Sequence, residues 1–535
     1  MLGLVLSLGQ PVLALDYALD SIKTPDDWFN LDPEENGVMG TSVNKAYELL
    51  LKDKTPKQTV VVAVIDSGVD IEHEDLQGKI WVNRDEIPGN GKDDDGNGYV
   101  DDVNGWNFIG GKDGRNVSND TYELTREYVR LKPLYESLSP DDVKRRDRNE
   151  YDYWLTIRDE FEETRKEAEM NLQFASTIQD NLKEVARILR SALDKEEIRA
   201  EDLRNMQHED ERIVKTAEMV LQLFEQMGTE ETTFRDILEG LAAEVDYYST
   251  QVEYAYNPEF DPRYIVGDDP DNYRERHYGN NDVVGPDASH GTHVAGIIAA
   301  DRHNDLGMRG ISDHALIMPV RAVPDGDERD KDVANAIYYA VDNGADIINM
   351  SFGKSYSPGK KYVDKAVRYA KRKGVLLIHA AGNSGEEVDR CNNFPNKWVG
   401  RRRVAPNWVE VGASSWLEDE NLPGSFSNYS GKSVDFFAPG VEVYSTVPGN
   451  EYEANSGTSM AAPVVSGITA LIMAYYPDLK PSEIREILHQ SVYLPEEDMV
   501  NKPGDGEEVD FDSLSITGGL VNAYRALKLA QTPED

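Results

Sequence analysis

The chain has 535 residues, 39% hydrophobic, with 99 acidic against 56 basic side chains and a formal charge of −43. This length allows two or three domains, and the apolar fraction supplies a packed core, so a disordered or fibrous chain is excluded. So acidic a surface repels phosphate backbones and anionic membranes, which removes nucleic acid from the expected partners. The single cysteine, Cys391, excludes an intrachain disulfide.

The first fifteen residues, MLGLVLSLGQPVLAL, are apolar but too short to span a bilayer. They resemble the hydrophobic part of a secretory signal, with Val12-Leu13-Ala14 as a cleavage site, although no basic residue precedes Lys23. The expectation is a secreted or periplasmic protein; a docked N-terminal arm is the alternative. No later stretch reads as a transmembrane helix. Residues 16–47 read as an N-terminal arm.

Residues 48–115 alternate short apolar runs with Gly and Asp turns. Val60 to Ile65 (VVVAVI) is a continuous β-branched run, suited to a parallel strand covered on both faces. Further on, Asp93, Asp95, Asn97, Gly98, Tyr99 and Asp101 form D-x-D-x-N-G-Y-x-D. This spacing resembles an EF-hand or dockerin-type loop, whose alternating oxygen ligands suit Ca²⁺. The expected ligands are Asp93, Asp95, Asn97, Tyr99 and Asp101, in a structural site. Asn104 stands where such loops carry a bidentate Glu, and Asp102 can compensate.

Residues 116–272 form a helical insertion. Ile178, Leu182, Val185 and Leu189 share one helix face, as do Ile213, Ala217, Val220 and Phe224, and again Phe234, Ile237, Leu241 and Val245. Three or four long amphipathic helices are expected, packed as a bundle or hairpin. They serve either as a solvated structural insert or as a module docking a protein partner or the chain itself.

Residues 273–530 return to the α/β texture. Ile347 to Met350 and Val375 to Ile378 read as buried strands, and Val333–Val341 and Tyr362–Arg372 as helices. Strand and helix in alternation predict a doubly wound, mostly parallel sheet. Each strand signal ends on polar residues: Asp66, then Ser351-Phe352-Gly353, then Asn383. Ligands bind at the carboxyl ends of strands in such sheets, so one shared cleft is expected. His290 opens a small-residue apolar helix, HGTHVAGIIAA. Ser459 opens another, GTSMAAP onward to about Tyr475, where free N–H groups and the helix dipole favour negative charge. Pro463 reads as tolerated in that first turn. A serine hydroxyl becomes a nucleophile when a neighbouring base takes its proton and a third group orients the base. Ser459, His290 and Asp66 can fill those roles, with Asn383 as a donor to a developing oxyanion.

VAVIDSGVD, HGTHVAGIIAA, AAGNSG and GTSMAAP, in this order, resemble the signature blocks of the subtilisin-like serine peptidases. The resemblance implies that Asp66 orients, His290 acts as general base and acid, Asn383 donates to the oxyanion and Ser459 attacks, as in the standard account of that triad. It makes Ser351, Phe352 and Gly353 the strand that pairs with substrate backbone, and it puts Ala405-Pro406 where the family often has a cis proline. The implied function is endopeptidase cleavage of extended polypeptides through an acyl-enzyme; the alternative is a non-catalytic binding or chaperone-like protein on a peptidase scaffold. Two departures stand out. Asp66 and His290 are 224 positions apart, an excess the helical insertion explains. The arm at 16–47 is also short for a folding propeptide, so the arm or the insertion is expected to do some of that work. A zinc site on His290 and His293 is disfavoured, because Gly291-Thr292 replaces the glutamate of H-E-x-x-H. His293 and His379 read as packed histidines, and Cys391 as structural.

Overall fold

The computed structural model describes residues 24–531 except 205, 228–231, 389–391, 401–402 and 497–498. The signal-like start and Cys391 lie outside the described residues. The apolar runs become strands β1 (Val60–Asp66), β2 (Trp106–Asn107), β3 (Ala315–Arg321), β4 (Ile347–Met350), β5 (Leu376–Ala380), β6 (Trp408–Ser414) and β7 (Phe436–Pro439). They form one seven-stranded sheet in the order β2-β3-β1-β4-β5-β6-β7, and every pair is parallel. Both faces are covered, so the strands are apolar along their length instead of alternating.

The chain lays down β2 and β3 on one side of β1, then crosses to β4 on the other. That reversal opens a crevice at the carboxyl edge. The register keeps the edge level: Ile65 sits opposite Met350, and Met350 opposite His379.

Two compact units emerge: a helical unit, Glu127–Pro258, and a sheet unit, Thr24–Arg126 with the chain from Glu259 onward. The long helices of the insertion are α1 (Glu123–Tyr135), α2 (Arg148–Leu193), α3 (Glu211–Met227) and α4 (Phe234–Thr250). The apolar stripes read from the sequence meet: Leu189 of α2, Ala217, Val220 and Phe224 of α3, and Phe234 and Ile237 of α4 are buried in one cluster. A capping box starts α4, with Thr233 and Asp236 each bonding the other's backbone N–H.

In the sheet unit the helices that matter are α5 (Ser289–Ala299), α6 (Asp330–Asp342), α7 (Lys360–Lys373) and α8 (Thr458–Tyr475). Among the described residues, α8 alone is long and apolar enough to cross a membrane, contrary to the sequence reading; 94% of it is buried in the protein, so its apolarity is that of a core helix. The arm enters the same core. Trp28, Phe29 and Val43 are fully buried in one cluster with Val521, Ala523 and Leu527 near the other end of the chain. Asn522 bonds Ser42 at 2.7 Å. Among the described residues the cis peptide bond is Phe394–Pro395, not Ala405–Pro406.

Candidate active site

Asp66 is the last residue of the central strand β1 and is 2% exposed. One carboxylate oxygen accepts the Ser67 N–H at 2.8 Å and meets His290 Nδ1 at 2.7 Å. The helix carrying His290 can come this close because the next residue has no side chain. A Cβ on Gly291 would lie 2.0 Å from the Gly68 carbonyl oxygen and 3.2 Å from the Asp66 Cβ. Burial pulls the His290 pKa down, but the Asp66 carboxylate outweighs it and holds the imidazole above its ordinary value. With Nδ1 committed to Asp66, Nε2 is the free ring nitrogen. His293, on the same helix, turns away: its Nε2 meets the Glu453 carbonyl at 3.1 Å, and burial lowers its pKa to about 4. The two histidines therefore do not form a metal pair.

Ser459 lies in the first turn of α8. Its hydroxyl donates to the Ser351 carbonyl at 3.1 Å, and among the described residues it makes no hydrogen bond to His290. Ser351 returns the contact, its Oγ donating to the Ser459 carbonyl at 2.9 Å. Pro463 explains why that carbonyl is free. Pro463 stands four residues beyond Ser459, past the first turn expected from the sequence, and lacks the N–H that would have bonded it. Asn383, just beyond β5, accepts from the Thr458 N–H at 2.9 Å and the Thr458 hydroxyl at 2.8 Å. Its Nδ2 faces the turn before Ser459, 3.3 Å from where a Gly457 Cβ would stand. The two acceptor contacts fix which end of the amide is NH₂.

Ser351, Phe352 and Gly353 continue from β4. Ser351 is buried, Phe352 half-buried and Gly353 exposed. Lys354, which sequence reasoning passed over, anchors this segment. It is 5% exposed, and its ammonium donates to Glu123 at 2.7 Å and to the Glu328 carbonyl at 2.6 Å. Burial raises Glu123, but Arg126 and Lys354 more than compensate and hold it at about 2. A lysine after Ser-Phe-Gly carries no sequence signal for this role. His379 is the core histidine expected, bonded to Glu410 at 2.8 Å.

The acidic loop is held by turns of its own side chains onto its backbone. Asp93 spends its oxygens on the Gly96 and Gly98 N–H groups, Asn97 on the Tyr99 N–H and Asp101 on Asn90 and Gly91. The Tyr99 hydroxyl bonds the Arg276 carbonyl. Asp95, one of the five expected ligands, also belongs to a carboxylate cluster. Its partners are Glu86 and Asp102, with oxygens within 4.8 Å of one another. Burial pushes Asp102 up to about 6. Glu86 is 6% exposed, and its Oε2 is buried without a hydrogen-bond partner.

The subtilase family model matches residues 57–511, so the chain belongs to the subtilase family. A thermophilic serine proteinase from Bacillus sp. (strain AK1) is 36% identical over 300 residues, 55% of this chain and 63% of that one. Thermitase from Thermoactinomyces vulgaris is 32% identical over 300 residues, 55% of this chain and 91% of thermitase. The chain thus spans less than two thirds of the Bacillus proteinase's length. Among solved structures, a protease from Pseudoalteromonas arctica matches 47% of this chain and 78% of its own, at 27% identity and a TM-score of 0.39.

Proposed function

We propose that this chain is a serine endopeptidase that cleaves extended polypeptides through an acyl-enzyme on Ser459. The observation that carries the reading is the 2.7 Å His290–Asp66 contact at the sheet edge that also presents Ser459 and Asn383. Asp66 accepts the Nδ1–H and leaves the Nε2 lone pair to act as base. A turn about the Ser459 Cα–Cβ bond, between staggered rotamers, releases the hydroxyl from Ser351 toward that nitrogen. His290 takes the proton as Oγ attacks the carbonyl carbon. The oxyanion receives N–H donation from Asn383 Nδ2 and the Ser459 backbone at the positive end of α8. The imidazolium then protonates the departing amine, and water repeats the sequence to release the acid. The substrate chain pairs with the open backbone of Gly353 beside Ser351 and Phe352, as strand addition requires.

A fluorophosphonate probe tests this. Labelling of the wild type but not of Ser459→Ala is expected; an unlabelled wild type would mean a non-catalytic binding protein on a peptidase scaffold.

We place a structural Ca²⁺ at Glu86, Asp95 and Asp102, where a buried carboxylate oxygen without a partner suits a hard cation. The ion would tie the loop to the sheet unit and take no part in the chemistry. Calcium added to a chelator-treated sample should raise Tm, and Glu86→Gln should abolish the rise. By its signal-like start we place the protein outside the cytoplasm, secreted or periplasmic, which N-terminal sequencing of exported protein would test.

A further inference from the structure

Half of α7 is basic: seven of its fourteen residues are Lys or Arg and one is acidic, in a chain with 99 acids against 56 bases. Lys360 pairs with Asp364 at 2.7 Å. Lys361, Lys365, Arg368, Lys371, Arg372 and Lys373 make no ion pair among the described residues, and all but Arg368 are exposed. Helix physics accounts for only some of them. Lys371, Arg372 and Lys373 sit at the carboxyl end, where cations favour the helix dipole. In the amino-terminal half, Lys361 sits in the first turn, where a cation opposes the dipole, and it repels Lys365 at i,i+4. They weaken the helix and gain no intramolecular anion in return.

A cavity of about 600 Å³ lies beside that half of α7, between α6, α7 and the segment 271–276. Arg274, Arg276 and Lys365 line it, against one carboxylate, Asp271. Its walls are flat. Tyr273 stacks on Tyr362 with centroids 3.9 Å apart and planes 9° from parallel. The Arg276 guanidinium lies 3.8 Å from the Tyr338 ring centroid, and the Lys365 ammonium 4.7 Å from that of Tyr362. The rings hold two of the cations in place without neutralising them.

We propose that this cavity and the adjoining face of α7 form an exosite that binds a carboxylate-rich polypeptide segment and so recruits substrates carrying one. The patch is short, about 21 Å of helix, on a chain with a net charge of −43. A flexible acidic peptide can engage the cations locally, within a screening length of about 8 Å. A rigid duplex or a membrane would extend beyond so short a patch and meet a chain of net negative charge.

The test uses the full chain. A fluorescein-labelled oligoglutamate should bind the Ser459→Ala protein in polarisation measurements and weaken with added salt. The triple variant Arg274→Glu, Lys361→Glu, Lys365→Glu should lose about tenfold or more in affinity. Absence of binding, or equal binding by the variant, overturns the proposal. Displacement of the label by duplex DNA or anionic vesicles more effectively than by unlabelled oligoglutamate overturns the choice of partner. The recruitment role rests on the peptidase reading, so it has its own arm. Of two substrates with one cleavage sequence, the one extended by a glutamate tract should show the lower KM. The triple variant should erase that difference while keeping kcat/KM on the short substrate. Equal KM values in the wild type overturn recruitment. A protein that cleaves neither substrate contradicts the peptidase reading and leaves the polarisation result to judge the exosite.

Discussion

Helix α5 in the sheet unit buries nine of its eleven residues, whereas α2 in the helical unit buries nine of forty-six. From Val294 on the first is all Gly, Ala, Val and Ile because protein surrounds it; the second is an amphipathic rod with one narrow apolar stripe. In the sheet unit each position is constrained by neighbours distant in sequence, as Gly291 is by Gly68 and Asp66. In the helical unit only the stripe is constrained. Close packing holds a reactive geometry within a fraction of an ångström, and the loose rod leaves its surface free to vary.

This contrast predicts where substitutions do damage. The largest loss is expected for Asp66→Asn, about 10⁴-fold in kcat on a peptide substrate, the scale known for this position in the triad. It carries a pH signature. The base works only when unprotonated, and Asp66 holds the His290 pKa above its ordinary value. Wild-type kcat/KM should therefore fall as pH drops through a midpoint above about 6.5, and in Asp66→Asn the residual activity should persist to lower pH. An unmoved acid limb would separate His290 from that titration.

Next come two core truncations of the same kind, one per unit. Trp28→Ala and Phe234→Ala each remove a fully buried ring and should cost about 3–5 kcal/mol in denaturant unfolding. Trp28→Ala should lower the stability of the peptidase activity; Phe234→Ala should loosen the helical unit while short-peptide hydrolysis survives. Loss of that activity in Phe234→Ala would show that the two units are not independent. The smallest effect is expected at the α4 cap, where Thr233→Ala should cost about 1 kcal/mol and leave kinetics untouched.

Much of this was legible in the sequence because it is written in short-range patterns. The continuous run at Val60–Ile65 gives a buried parallel strand, and the spacing of Ile213, Ala217, Val220 and Phe224 gives a helix face. Three polar strand ends and two helix starts gave the expected cleft; the structure joins His290 to Asp66, Ser459 to Ser351 and Asn383 to Thr458. What escaped depends on three-dimensional competition for hydrogen bonds. The D-x-D-x-N-G pattern names the loop, but not Glu86, which comes within reach of Asp95 and Asp102 from outside the pattern. Pro463 is visible as a helix irregularity, whereas the Ser351 hydroxyl that compensates for it is not. Lys354 looks like any surface lysine until Glu123 and the Glu328 carbonyl close around it.

The arm has one more consequence. Trp28 and Phe29 belong to the same core cluster as Val521, Ala523 and Leu527, so one core joins stretches far apart in the chain. The core around these two large aromatic side chains is complete only when residues several hundred positions further along have joined it. Contacts so remote along the chain form slowly. The sheet unit therefore closes this core only once both distant stretches are present.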